Sequence, residues 1–167
     1  MKLFSRYGIV LSLILAALVI SGAAFCIING KVRGKGNGDT VLVIKDTDSG
    51  RVYGKWLLEE KEEFAIEFVH SVNQSPVREY FLAENGNIRS FAVRFFSFGA
   101  GMQSDLMEGQ TLSRDGDAMV ISGLSASFKE LNYIVGTVSD HVLIIKNEPV
   151  SLRELCGKNA HITIFLK

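Results

Sequence analysis

The residue types best suited to chemistry lie on two neighbouring stretches of predicted strand, joined by a polar turn. Along Phe64 to His70 the apolar side chains alternate, so His70 shares its face with hydrophobic residues. After the turn from Ser71 to Pro76, Glu79 lies on the same face as the apolar residue Val77. A symmetrical turn places Val77 opposite His70, which leaves Glu79 diagonal to the imidazole at about 7 to 8 Å. In that register the two long side chains are close enough to meet, whereas a one-residue slip would send Glu79 to the opposite face, so the contact depends on the register.

Such a pair has more than one interpretation. In most proteins it is a hydrogen-bonded pair that satisfies two polar groups inside a core. It can also form a small-ligand or proton-handling site, because an imidazole oriented by a carboxylate titrates near neutral pH. A metal site would need His141 and His161 to converge on His70, and no two histidines have the spacing of neighbouring ligands. We assign no metal ligands, and we keep a small-ligand or metal-binding domain centred on His70 and Glu79 as the alternative function.

The sequence lacks the motifs of nucleotide-binding proteins and of common hydrolases. Gly99 and Gly101 follow an apolar strand and permit a tight turn or the close approach of another chain or ligand. They belong to no phosphate-binding loop or dinucleotide fingerprint. No serine lies in a G-x-S-x-G elbow, and Cys156 is expected to be a small buried hydrophobe. We expect a non-enzymatic protein without a cofactor, with a hydrolase as the weakest alternative.

The N-terminal part of the chain has the features of a membrane anchor. Tyr7 to Ile28 are 22 residues without a charge, enough to cross a hydrocarbon core of about 30 Å as a helix. Lys2 and Arg6 supply the positive cytoplasmic flank, so we expect a single-pass protein of the cell membrane with its domain on the extracytoplasmic side. Two alternatives stay open. The small residues from Ser21 to Ala24 would permit signal-peptidase cleavage, and basic residues directly after the span weaken the charge asymmetry.

Composition limits the rest of the chain to one domain. We assign residues 1–29 to the signal anchor, 30–39 to a flexible glycine-rich linker and 40–167 to the extracytoplasmic domain. Five of the 18 basic residues flank the apolar segment, which leaves 13 basic against 18 acidic residues elsewhere. We expect no nucleic-acid partner, because this mildly acidic domain lacks the basic surface that binds phosphates.

Short apolar runs separated by turn signals predict an all-β domain. The runs are Thr40 to Lys45, Arg51 to Glu59, Glu63 to Val72, Val77 to Ala83, Ile88 to Phe98, Ala118 to Ile121, Tyr133 to Val138, His141 to Ile145 and His161 to Phe165. Asn85-Gly86 is the strongest hairpin signal. Only Ser125 to Asn132 and Ser151 to Cys156 have helical patterns, the second with a capping box at Ser151 and Glu154. We expect an antiparallel β-sandwich or partly closed barrel of about eight or nine strands.

Four short motifs together carry a resemblance to a known family. They are His70-Ser71-Val72, Pro76-Val77, Glu79-Tyr80 and Ser97 to Gly101. With them, the chain from about Val41 to Phe165 resembles DUF1850, a domain-of-unknown-function family of small envelope proteins. One departure is Met102-Gln103, where the family pattern more often has Leu-Pro.

Members of that family are typically encoded beside TAXI-type TRAP transporters, which couple the uptake of organic anions to an ion gradient and use a separate solute-binding protein. The resemblance therefore implies an accessory role in this transport, with the permease or its solute-binding protein as partner. It implies no catalytic mechanism. The ligand-binding or structural motif residues that it implies are His70, Ser71, Pro76, Glu79, Tyr80, Gly99 and Gly101.

Overall fold

The computed structural model describes residues 39–97 and 105–167. The predicted anchor, nearly all of the predicted linker, and the glycines Gly99 and Gly101 lie outside the described residues. Among the residues that are described, no helix has the length and apolar character needed to span a membrane.

The described residues contain twelve strands and one short helix. The strands are β1 (Thr40–Asp46), β2 (Val52–Leu58), β3 (Glu63–Val69), β4 (Pro76–Glu84), β5 (Asn87–Phe95), β6 (Thr111–Asp115), β7 (Ala118–Ser122), β8 (Ser127–Phe128), β9 (Glu130–Ile134), β10 (His141–Ile145), β11 (Glu148–Ser151) and β12 (His161–Leu166). The helix α1 spans Leu152–Cys156.

These strands form two antiparallel sheets. The small sheet has the order β2-β1-β12-β9, and the large sheet has the order β11-β10-β3-β4-β5-β7-β6, with β8 also paired to β5. The prediction of an all-β antiparallel domain is confirmed, and the arrangement in two sheets is consistent with a sandwich. The predicted number of strands was too low, because the polar edge strands β6 and β11 and the short β8 have no apolar run.

A large hydrophobic core joins the two sheets. Leu42 and Ile164 of the small sheet belong to the same buried cluster as Ile66 and Leu143 of the large sheet. The fully buried pairs Leu42 and Ile44 in β1 and Ile162 and Ile164 in β12 recur every second residue, which is the period of a strand with one face turned inward, although the residue between each pair is also buried. Fully burying each such side chain stabilises the fold by about 1.5 to 3 kcal/mol. This alternation determines which polar residues also point between the sheets.

Local turn chemistry agrees with the structure in some segments and not in others. Asn85 and Gly86 have φ angles of 52° and 69°, as the predicted tight hairpin requires. In α1 the Ser151 hydroxyl accepts a hydrogen bond from the Glu154 amide at 3.0 Å, so the predicted N-cap is confirmed. The predicted helix from Ser125 to Asn132 is wrong. That segment forms β8 and the start of β9, where Leu131 alternates inward and pairs with the core strand β12.

Different turns and loops lie at the two ends of the sheets. At one end lie the turn from His70 to Ser75, the loop from Val135 to Asp140 and helix α1, because β3 and β9 finish there and β10 starts there. We call this the His70 end. The chain enters the domain at Thr40, at the opposite end, since β1 reaches the His70 end only at Asp46.

Candidate functional site

The register that would bring His70 and Glu79 together is not the one that the two strands adopt. Ile66 lies opposite Glu79, and Phe68 lies opposite Val77. The difference from the predicted register is two residues, so Glu79 keeps its inward orientation but lies four residues beyond the partner of His70, about 13 Å along the strand. A ligand site centred on His70 and Glu79 has no geometric basis in this register.

His70 instead organises its own turn. Its backbone amide donates to the Ser75 carbonyl at 2.9 Å, and its imidazole Nδ1 accepts from the amides of Val72 and Asn73 at 3.3 and 3.4 Å. The turn is also fastened to the end of β5, because the Asn73 side-chain amide donates to the Ser97 carbonyl at 3.2 Å. His70 is therefore a structural residue of the β3 to β4 turn.

The partner of Glu79 comes from the other sheet. The Tyr133 hydroxyl on β9 donates to Glu79 Oε2 at 2.8 Å, and this hydrogen bond crosses the space between the small and the large sheet. Burial raises the pKa of Glu79, an effect that the hydrogen bond from Tyr133 partly opposes. The pKa of Tyr133 is also raised, first by burial and then by the charge of Glu79. This tyrosine stays protonated and serves as a hydrogen-bond donor.

His141 lies beside this pair, between two aromatic rings. It stacks on Phe68 with ring centroids 5.4 Å apart, and the ring of Tyr133 is 5.8 Å away. Its Nδ1 accepts a hydrogen bond from the Gly136 amide at 3.1 Å, so the neutral imidazole carries its proton on Nε2. Burial lowers the pKa of His141, Asp140 opposes that shift, and Arg153 adds to it. The neutral ring presents Nε2 as a donor.

Hydrogen bonds join the loop before His141 to helix α1. Asp140 accepts from the Ser151 hydroxyl and from the Arg153 amide, the latter at 2.9 Å. The Arg153 guanidinium donates from Nη2 to the Gly136 carbonyl at 3.0 Å. Gly136 has no room for a side chain, because a Cβ there would overlap the carbonyl oxygen of Ser139. The loop therefore has one compact conformation, in which Gly136 contacts both His141 and Arg153.

The comparisons with known proteins identify a family. The family described as Domain of unknown function (DUF1850) matches residues 64–152, just over half of the 167-residue chain. The chain belongs to the DUF1850 family. No curated protein and no solved structure matches it. The DUF1850 match begins at the second residue of β3 and ends at the first residue of α1. It therefore includes Glu79, Tyr133, Gly136 and His141.

The other residues that carried the resemblance to DUF1850 do not join this cluster. Ser71 and Pro76 are exposed at the β3 to β4 turn, and Pro76 is the first residue of β4, a position where a strand tolerates proline. Tyr80 lies on the outer face of the large sheet, where its ring is 5.9 Å from that of Phe91. Of the predicted site residues within the described part of the chain, only Glu79 belongs to the cluster between the sheets.

The structure also shows where His161 and Cys156 lie. His161 is exposed on the outer face of the small sheet, away from His70 and His141. In residues 39–97 and 105–167 no three His, Cys, Asp or Glu side chains converge as metal ligands would. Cys156 is half-buried, and burial raises the pKa of its thiol to about 11, so the thiol is protonated at neutral pH.

Sequence inspection missed Tyr133, Asp140 and Arg153 as site residues, and it considered His141 only as a metal ligand. Their meeting depends on how the two sheets stack and on the path of the loop from Val135 to Asp140. The one local signal was the capping box that begins at Ser151, because it predicts the helix on which Arg153 lies.

Proposed function

We propose that this protein is a non-enzymatic, membrane-anchored extracytoplasmic accessory protein of a TAXI-type TRAP transporter. Membership of DUF1850 is the observation that carries the proposal, because the resemblance to this family implies a genetic association with such transporters. The uncharged segment from Tyr7 to Ile28 supports an anchored location. The partner in this proposal is the permease or its solute-binding protein.

Exposed apolar side chains support the His70 end as the surface that contacts this partner. Val72 in the β3 to β4 turn is 64% exposed, and Val138 in the loop before β10 is 93% exposed. Phe96, just after β5, is also exposed. The backbone under Val72 and Val138 is held in place, the turn by His70 and Asn73 and the loop by its hydrogen bond to α1. A group of exposed apolar side chains at one end of a domain is a candidate interaction surface.

Site-specific photo-crosslinking in intact membranes tests this proposal. A photoreactive residue replaces Val72 at the His70 end, and a matched variant carries it at Glu148, an exposed position at the opposite end. We expect an adduct with the permease or the solute-binding protein from the Val72 position and a much weaker one from Glu148. Recovery of no TRAP component from either position, with the transporter co-expressed, would contradict the accessory role.

The location is tested separately with reporter enzymes fused to the C-terminus. We expect alkaline phosphatase to be active and β-galactosidase to be inactive in the fusion, because the first folds only outside the cytoplasm. The reverse result would place the β-domain in the cytoplasm and would remove the basis for an extracytoplasmic accessory protein.

A further inference from the structure

The two histidines at the His70 end use the same ring atom in the same way. His141 Nδ1 accepts a hydrogen bond from the Gly136 amide at 3.1 Å. His70 Nδ1 accepts from the amides of Val72 and Asn73 at 3.3 and 3.4 Å. A backbone amide only donates, so each ring is neutral and carries its proton on Nε2, whereas protonation would turn Nδ1 from an acceptor into a donor. These hydrogen bonds therefore exist only while the imidazoles are uncharged.

The third histidine of the chain does not have this arrangement. His161 is exposed at the first residue of β12. Its backbone carbonyl accepts from the Thr47 amide at 2.9 Å, but within residues 39–97 and 105–167 its ring makes no hydrogen bond to the backbone. The chain thus contains its own comparison for the other two rings.

The hydrogen bonds of His70 and His141 hold the two loops that carry exposed apolar side chains. Val72 is 64% exposed and donates its own amide to His70. Val138 is 93% exposed and lies between Gly136 and His141, so their hydrogen bond joins the two ends of its loop. The conformation that presents each valine depends on a neutral imidazole.

Charged groups reach His141 from its own loop, from α1 and from the large sheet. Asp140 precedes it in the chain, Arg153 lies on α1, and Glu79 is joined to it only through Tyr133. Burial lowers the pKa of His141 most strongly, while Asp140 raises it and Arg153 lowers it. The unfolded chain takes up its proton at the ordinary pKa of 6.5, so the stability that neutral His141 contributes is present above that pH and is lost as the pH falls through the lower folded value.

The surroundings of His70 contain few charges. The chain from Ser71 to Val77 has no charged residue. On the two strands that this turn joins, the first charged residues are Glu67 and Arg78, which contact each other at 2.7 Å. In the described part of the chain neither His70 nor His141 forms a salt bridge. No partner carboxylate therefore holds either ring in its charged form.

We propose that His70 and His141 form a pH-sensitive switch, which holds the two exposed loops of the His70 end in place at neutral pH and releases them in acid. Histidine is the side chain whose charge ordinarily changes between about pH 5 and pH 8. Protonation of either ring places its new N–H against the backbone amide that had been the donor, and two donors cannot bond to each other.

The change is local, because other hydrogen bonds keep each loop attached to the sheets. The Asn73 side chain still donates to the Ser97 carbonyl, and Arg153 still donates to the Gly136 carbonyl. The end that presents Val72 and Val138 is therefore a better defined surface at neutral pH than in acid. The switch is a property of the domain and does not rest on the accessory role.

NMR titration of the full-length protein in detergent micelles, from about pH 8 to about pH 5, tests the switch. The chain has only three histidines, so each ring can be followed separately, and the ring nitrogen shifts show which nitrogen carries the proton. We expect the neutral rings of His70 and His141 to carry it on Nε2. The Gly136 amide should shift with the midpoint of the His141 ring, and its protection from solvent exchange should fall about threefold to tenfold after correction for the intrinsic effect of pH. The Val72 amide should follow the His70 ring in the same way.

Two variants make the result specific. In His141→Asn the side-chain carbonyl oxygen replaces Nδ1 as an acceptor and does not titrate, so the Gly136 amide should lose its response to pH while the Val72 amide keeps its own. His161→Asn is the matched control, because this exposed ring bonds to neither loop, and both amides should respond as in the wild type. If His141→Asn does not fold, the agreement of the amide and ring midpoints in the wild type decides the question.

Three results would overturn the proposal. One is a neutral ring of His70 or His141 that carries its proton on Nδ1. Another is an amide of Gly136 or Val72 whose shift and protection stay constant while its histidine titrates. The third is a Gly136 response that persists unchanged in His141→Asn. None of these measurements involves a transporter, so failure of the switch is distinguishable from failure of the accessory role.

Discussion

The hydrogen bond between the two sheets gives a quantitative prediction. Tyr133→Phe removes only the hydroxyl that donates to Glu79 Oε2 at 2.8 Å and leaves the ring beside His141 in place. A hydrogen bond to a charged group contributes about 1.5 to 3 kcal/mol. Since Glu79 is only half-buried, water replaces part of the lost bond, and we expect the free energy of unfolding to fall by about 1 to 2 kcal/mol at pH 7.5. A loss of that size is measurable in a domain of ordinary stability.

The destabilisation caused by Tyr133→Phe should be smaller at low pH. Burial raises the pKa of Glu79 above its ordinary value, so its carboxyl group takes up a proton more readily as the pH falls, and the charged form is more populated at pH 7.5 than at pH 4.5. A neutral hydrogen bond contributes only about 0.5 to 1.5 kcal/mol, so Tyr133→Phe should cost less at pH 4.5 than at pH 7.5.

Urea unfolding followed by tryptophan fluorescence is the assay. Trp56 is the only tryptophan, and it packs against the core, so its emission reports loss of the shared core. Tyr53→Phe is a matched control, because the Tyr53 hydroxyl donates to Asp46 at 3.0 Å within a single hairpin and not between sheets. An equal cost of Tyr133→Phe at both pH values, or no cost at either, would refute the charge-assisted bond between the sheets.

Three further predictions follow from the same neighbourhood. Glu79→Gln keeps an acceptor for Tyr133 and removes the charge that burial disfavours. Because the folded pKa is raised, the stability that protonated Glu79 contributes is fully present below pH 4.5 and is lost as pH rises through the folded value. Glu79→Gln should therefore be more stable than wild type at neutral pH in thermal melts, and the difference should vanish below pH 4.5. Gly136→Ala should cost about 1 to 3 kcal/mol in urea unfolding and perturb the ring signals of His141 in NMR spectra, because the added methyl group overlaps the Ser139 carbonyl; unchanged spectra would contradict that overlap. Cys156 should react slowly with a thiol reagent at pH 7.5 and much faster in urea, since its pKa of about 11 keeps the thiol protonated; rapid reaction of the folded protein would show that the thiol is not held in this environment.

The sequence by itself determined the class of the fold and the orientation of individual side chains. A period of two along β3 and β4 places Glu79 on the inner face, and this result survives the two-residue error in register because an even shift does not exchange the faces. Asn85-Gly86 and the Ser151 cap were predictable because their hydrogen bonds and φ angles involve residues close along the chain. The edge strands β6 and β11 were not predictable, since exposed strands carry no apolar pattern.

The tertiary structure alone decided which polar groups meet. The register of β3 and β4 determines how far apart His70 and Glu79 lie. In the turn between these strands the His70 imidazole accepts a backbone hydrogen bond, and the alternation of apolar residues gives no sign of that bond. Tyr133 and Glu79 are 54 positions apart, and their contact depends on how one sheet lies over the other. Arg153 and His141 each bond to Gly136, and that arrangement depends on the path of the loop between β9 and β10. Alternation along a strand tells which way a side chain points, but only the stacking of the sheets determines what it touches.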